Sequence, residues 1–157
     1  MHGASIILEA VLLLLIAAAF AYLAFPSAQE TILDSQQQYF ANVVRGELEK
    51  CNDKLLETSR TGSGNVCSFS QEVIVDSSRI SFIVSSESEL CDEHQLTLIN
   101  TEKSIWQRCT VDDMYTLETV WMSGFIKFKV NGVTGRELRF TRSAVSDSGA
   151  VLDVAVS

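Results

Sequence analysis

The chain begins with a long apolar run. Between Ile6 and Phe25 the single charged residue is Glu9, and every other position is apolar. Twenty residues in a helix rise about 30 Å, enough to cross the hydrocarbon core of a bilayer. The pattern therefore predicts an apolar, membrane-spanning helix over residues 4–25.

A second helical pattern follows Pro26, with apolar residues three, four or seven positions apart. This spacing is typical of a helix that buries one face. Its members are Leu33, Phe40, Val44, Leu48, Cys51 and Leu55. The pattern predicts an amphipathic helix over residues 27–58, and Gly62 is placed to cap its end. Pro26 can break the helix, kink it or begin a second one.

Beyond Asn65 the apolar residues alternate with polar ones, as in strands with one buried face. The predicted strands are 66–75, 80–84, 95–99, 104–111, 114–121, 125–130, 137–141 and 151–156. Asn131-Gly132 is a hairpin-turn signal. Trp106, Trp121 and Phe128 lie in these strand patterns and are expected in the core.

One long helix followed by a run of strands predicts an α+β fold. We expect an N-terminal helix over residues 1–60 and a β-rich head over residues 65–157. The head is expected to be an antiparallel sheet or a small β-sandwich, so that the whole chain is lollipop-shaped.

Four cysteines in an apparently exported chain predict two disulfides. We favour Cys51–Cys67 with Cys91–Cys109, because each joins sequence neighbours across one loop; the two other pairings stay open. The alternative is a metal site that includes Cys91, His94 and Cys109. Zinc sites usually carry two closely spaced ligand pairs, and this cluster has no second pair. We therefore expect no metal.

The formal net charge of −8 makes the exposed part of the chain acidic. Nucleic acids and anionic membrane surfaces both require a basic footprint, so we expect neither as a partner. The sequence has no Gly-x-Ser-x-Gly, no phosphate-binding glycine pattern and no His-Glu-x-x-His. We therefore expect no enzymatic activity and no cofactor.

The start of the chain lacks positive charge, because no Lys or Arg precedes Arg45. A cleaved secretory signal has a basic region before its apolar core, and a membrane anchor usually carries flanking Lys or Arg. We therefore predict that a basic leader has been removed, either before Met1 or after Gly3.

These N-terminal features resemble those of the type IV pilin superfamily: the apolar run, the early Glu9, Pro26 after it and the amphipathic continuation. Glu9 is ninth from Met1, or sixth after a cut at Gly3, which favours archaeal pilin-like proteins with class III signal peptides over the bacterial branch. The resemblance covers only the N-terminal third. It implies a leader peptidase, residence of the apolar helix in the cytoplasmic membrane, and packing of identical copies into a filament core by pilus assembly machinery.

The resemblance also implies a kink at Pro26 and a partner for Glu9, the free α-amino group of a neighbouring subunit. The alternative is that Glu9 lies at the membrane interface and reaches water. Alanines in the run give small positions at which helices can approach closely. The predicted assembly residues are Glu9, Ala10, Leu13, Ala17, Phe20, Ala21 and Pro26.

The sequence therefore predicts a structural subunit of an extracellular, type IV pilus-like filament at the cell surface. It would polymerise through its N-terminal helix and display an acidic, disulfide-braced head for surface adhesion. The alternative is a single-pass, membrane-anchored extracellular binding domain, or a minor or accessory filament component.

Overall fold

The computed structural model describes residues 3–87, 89–91, 94–130 and 132–157, with side chains described for all of these except 3–10, 23–34 and 94–95. One helix, α1 (Gly3–Thr61), precedes the strands. The strands are β1 (Asn65–Asp76), β2 (Arg79–Ser86), β3 (His94–Asn100), β4 (Ile105–Val111), β5 (Tyr115–Met122), β6 (Ile126–Phe128), β7 (Val133–Ser146) and β8 (Gly149–Val156).

The chain divides into two compact units, Met1–Gln36 and Gln37–Ser157. The first unit holds the N-terminal part of α1. The second unit holds the remainder of α1 together with all the described strands. The amphipathic end of the helix and the sheet therefore belong to one folded unit.

The described strands form one sheet in the order β3-β4-β5-β2-β1-β7-β8-β6. Neighbouring strands are antiparallel, except that β6 pairs in parallel with β8. Four pairs, β1–β2, β3–β4, β4–β5 and β7–β8, join strands that are neighbours in sequence, so most pairing is local. The pairs β2–β5 and β1–β7, together with the parallel pair β6–β8, join strands that are distant in sequence.

The core lies between α1 and the sheet. Six buried helix residues are spaced three or four apart, which places them on one face: Ala41, Val44, Leu48, Cys51, Leu55 and Thr58. Asn52, beside Cys51, is buried as well. The strands contribute a larger buried set that includes Val73, Val75, Ile80, Ile105, Trp121, Leu138, Phe140 and Leu152. The apolar stripe of the helix therefore has the sheet as its partner.

α1 ends where its backbone groups find other partners. Gly62 has a φ of 79°, a conformation that glycine adopts without a steric penalty, and its N–H donates to the Thr58 carbonyl at 2.9 Å. Arg142 Nη1 on β7 donates to the carbonyls of Ser59 (3.1 Å) and Arg60 (2.9 Å). The predicted glycine cap at Gly62 is therefore present, and the helix runs three residues past its predicted end.

The predicted α+β fold with a long helix and a separate β head is wrong. The second half of the helix is part of the same compact unit as the sheet, and strands hold more than half of that unit's residues. The unit is mainly β: a single curled sheet rather than a sandwich, with one parallel pair. The apolar stripe of the helix buries its side chains against the strands, so the helix from Gln37 onward and the strands form one unit.

The Asn131-Gly132 turn signal does not join two paired strands. β6 pairs with β8, whereas β7 pairs with β1 and β8. Phe128 N also donates to Ser77 O at 2.8 Å, which holds β6 against the β1–β2 turn. Asn131 itself lies outside the described residues.

In the part of the chain that the structure describes, no helix has both the length and the apolar character required to cross a membrane. The predicted membrane-spanning helix is thus not found there.

Candidate functional site

The longest run of exposed apolar residues in the described structure is the stretch of α1 over residues 11–22, here called the apolar segment. All twelve of its side chains are exposed. The exposed fraction is 66% for Leu13, 69% for Phe20 and 82% for Tyr22. Twelve residues make more than three helical turns, so the exposed apolar surface surrounds the helix rather than forming one stripe.

Four of the predicted assembly residues lie in this segment: Leu13, Ala17, Phe20 and Ala21. They are brought to one continuous surface, although not to a pocket. The side chains of Glu9, Ala10 and Pro26 lie outside the described residues, so the predicted roles of Glu9 and Pro26 remain predictions. Large exposed apolar surfaces mark places where a protein meets another protein or lipid.

Two disulfides brace the second unit, and the favoured pairing is confirmed. Cys51–Cys67 ties α1 to β1, and Cys91–Cys109 ties the segment before β3 to β4. The two disulfides join residues 16 and 18 positions apart, and for loops of this length the chain-entropy model gives about 3 kcal/mol of stabilisation each. The second disulfide leaves neither Cys91 nor Cys109 as a thiolate for a metal; the His94 side chain lies outside the described residues.

Polar side chains of α1 bind the edge of β1. β1 pairs with β2 only between Ile74 and Asp76, so its earlier residues have no strand on that side. Glu47 Oε2 accepts hydrogen bonds from the Ser70 N–H (2.9 Å) and hydroxyl (3.1 Å), and Lys54 Nζ donates to Val66 O at 2.6 Å. The helix thereby satisfies backbone groups that an open strand edge would leave to water or to another chain.

The turn between β3 and β4 is also tied to the helix. Lys103 Nζ donates to Asp53, and Asn100 Nδ2 donates to Glu49 Oε1 at 3.2 Å. The hydrogen bond from Lys103 holds the pKa of the Asp53 carboxyl below its usual range. A lowered folded-state pKa contributes stability above the unfolded pKa of about 4, and this contribution is lost as the pH falls below that value. Because Asp53 is largely exposed, the contribution is small.

An ion-pair network lies on the sheet face opposite the helix. The Glu118 side chain on β5 is only 8% exposed and accepts from Arg108 Nη2 at 2.7 Å. Arg79 Nη1 is 3.8 Å from the other Glu118 oxygen, and Arg79 Nε is 3.2 Å from Asp76 Oδ2. Direct cross-strand pairing of Arg108 with Glu118 explains the shortest contact. Sequence reasoning missed this network, because the pairing of β4 with β5 was not assigned.

Glu118→Gln is expected to lower the free energy of unfolding by about 1–2 kcal/mol, because the buried acceptor loses its charge-assisted hydrogen bonds. Both arginines are about half exposed and regain water, which keeps the loss below that of a fully buried pair. Urea unfolding with the disulfides intact measures it. Glu137→Gln, at an exposed position on β7, is the control; equal stability of the two variants would contradict the expected loss.

A cavity of about 410 Å³ opens at one end of the sheet. It is lined by three connections, the β1–β2 turn, the β3–β4 turn and the β5–β6 loop, and by residues of β3, β4 and β5. Trp106, which was expected in the core, is half-buried and forms part of this wall, whereas Trp121 and Phe128 are buried as predicted. Elsewhere among the described side chains, no three His, Cys, Asp or Glu come together to hold a metal ion.

Comparison with known proteins gives no family for this chain. It matches no family model, no curated protein and no solved structure. Its function is therefore inferred from its own features: the apolar segment, the two disulfides and the acidic surface.

Proposed function

We propose that this chain is a structural subunit of an extracellular filament resembling a type IV pilus, and that copies polymerise through the apolar segment. The observation that carries the proposal is that all twelve side chains of residues 11–22 are exposed around the whole helix. A helix that docks on one partner needs one apolar face. A helix that is apolar on every side needs cover on every side, which a bundle of identical helices supplies.

The energetics favour assembly. Eight of the exposed side chains are large: Val11, Leu12, Leu13, Leu14, Leu15, Ile16, Phe20 and Tyr22. Full burial of one such side chain is worth about 1.5–3 kcal/mol. The segment therefore offers each subunit on the order of 10 kcal/mol before the costs of ordering and association.

Small residues make a second copy a suitable partner. Ala17, Ala18, Ala19 and Ala21 follow the large side chains of residues 11–16, and small positions allow helix backbones to approach closely. Before assembly the same surface needs other cover, and we propose that lipid of the cytoplasmic membrane supplies it. Leader peptidase and pilus assembly machinery are the partners that this route requires.

The second unit would then be displayed outside the cell. The two disulfides support this location, because disulfides persist in oxidising compartments. The acidic composition supports solubility of a unit repeated along a filament. Surface adhesion is the role that we propose for the displayed unit.

Imaging of native surface material tests the proposal. Material sheared from cells that make this chain is examined by negative-stain electron microscopy, and mass spectrometry identifies the chain and its N-terminus in purified fibres. Thin filaments containing this chain as their main component are expected. Recovery of the chain only as unpolymerised protein in the membrane fraction would overturn the proposal and favour the anchored binding domain.

A further inference from the structure

The cavity at the end of the sheet has a composition that suits one class of ligand. Hydroxyl groups line it from three separate connections: Ser78 from the β1–β2 turn, Thr101 and Ser104 from the β3–β4 turn, and Ser123 from the β5–β6 loop. Within the described part of the chain, the hydroxyls of Ser78, Thr101 and Ser104 bond to no other residue. These groups are available to a ligand as donors and acceptors.

The remaining wall is apolar and includes an aromatic ring. Trp106 on β4 lies directly opposite Leu98 on β3, and both line the cavity with Met122. None of the described side chains that line it is charged. Asp76 and Arg79, on either side of the turn that carries Ser78, are paired with each other.

The backbone around the cavity is held in place. Ser104 has a φ of 57°, uncommon for a residue other than glycine, and its carbonyl accepts from Met122 N at 3.1 Å. Ser123 Oγ accepts from the N–H groups of Phe125 (3.1 Å) and Ile126 (3.3 Å). Uncommon backbone conformations that the surrounding structure maintains cluster at binding sites.

We propose that this cavity binds an uncharged saccharide. A pyranose ring has an apolar C–H face that can lie on the Trp106 indole, and hydroxyls around its rim that can bond to the serines and Thr101. A charged ligand would find no counter-charge, and a purely apolar one would desolvate several hydroxyls without replacing their hydrogen bonds. The volume of about 410 Å³ lies within the range of small-molecule sites. This site goes beyond the proposed filament role and does not depend on polymerisation.

The two tryptophans of the chain allow a direct test. The full-length chain is labelled with ¹⁵N-tryptophan and kept in a phosphocholine detergent, which has no sugar headgroup to compete. Methyl glycosides of glucose, galactose, mannose and N-acetylglucosamine are titrated while the two indole N–H signals are followed. The Trp106 signal is expected to shift saturably with at least one of them. The Trp121 signal, from a buried indole bonded to Asn52, is expected to stay in place.

Variants and a charged sugar complete the test. Saturation transfer from the protein to the bound glycoside is expected to be lost in Trp106→Ala. It is expected to weaken in the Ser78→Ala, Thr101→Ala double variant, which should keep the fold because both residues are exposed and lie in turns. Tyr39→Ala, which removes an exposed aromatic on α1, is expected to bind as the parent does. Glucuronic acid is expected to bind more weakly than the glucose glycoside. The proposal is overturned if no glycoside shifts the Trp106 signal, or if the glycoside receives as much saturation from Trp106→Ala as from Tyr39→Ala.

Discussion

Leu13→Lys is expected to abolish filament formation while leaving the Gln37–Ser157 unit folded. Leu13 is 66% exposed, so the isolated subunit tolerates a charged side chain there. In a bundle of apolar segments the ammonium group would be buried without a counter-ion, which costs several kcal/mol at every subunit. A penalty of that size repeated along a polymer offsets much of the gain from apolar burial. Sedimentation and electron microscopy after removal of detergent measure the outcome.

Gln36→Lys is the matched control for this prediction, because it places the same charge on an exposed position of the same helix outside the apolar segment. It is expected to polymerise as the parent does. Both variants should keep the parent's thermal unfolding transition, because neither substitution touches the core. Normal filaments from Leu13→Lys would show that the apolar segment is not the polymerising surface.

Trp121→Ala is expected to cause the largest loss of stability in the second unit. Trp121 is 1% exposed, and its ring centroid lies 5.8 Å from that of Phe128. Its indole Nε1 donates to Asn52 Oδ1 at 3.0 Å, which links β5 to α1 through a buried hydrogen bond. Truncation of a buried Trp costs about 3–5 kcal/mol. That is a large share of the 5–15 kcal/mol typical of a whole domain.

Trp121→Phe separates the hydrogen bond from the packing. It keeps most of the aromatic volume but leaves the buried Asn52 oxygen without its donor, which costs about 1–3 kcal/mol. Denaturant unfolding of the disulfide-bonded chain gives both losses, and Trp106→Phe is the control at a half-buried position without this bond. Equal losses for Trp121→Phe and Trp106→Phe would contradict an energetic role for the Asn52 contact.

The features that the sequence predicted correctly depend on local information. The three-and-four spacing of Val44, Leu48, Cys51 and Leu55 identifies the buried face of α1, because helical geometry alone decides which residues share a face. Gly62 could be assigned as the cap because glycine readily adopts the positive φ that commonly ends a helix. The disulfide pairing also followed from proximity, since each pair lies within 18 residues along the chain.

The features that were missed depend on contacts between distant parts of the chain. The parallel pairing of β6 with β8 cannot be predicted from Asn131-Gly132, because a turn signal does not state which strands pair beyond it. The burial of Glu118 depends on Arg108 being placed opposite it across two strands. Trp106 is half-buried for a similar reason: its strand alternates correctly, but the loops around it leave an open cavity against its side chain.

The merging of helix and sheet into one unit has the same origin. An apolar stripe on residues 27–58 requires a partner, and the strands that follow it in the chain are the expected one. From Ala41 onward it is the chain's own sheet. For residues 11–22 no such partner exists within the described residues, and this difference between two stretches of one helix is the basis of the proposed function.

Helical reconstruction of purified filaments by electron cryo-microscopy tests the central claim most directly. The account predicts that residues 11–22 of neighbouring copies pack against one another along the filament axis, with the disulfide-braced units outside. Filaments held together by contacts between Gln37–Ser157 units, with residues 11–22 facing solvent, would contradict it.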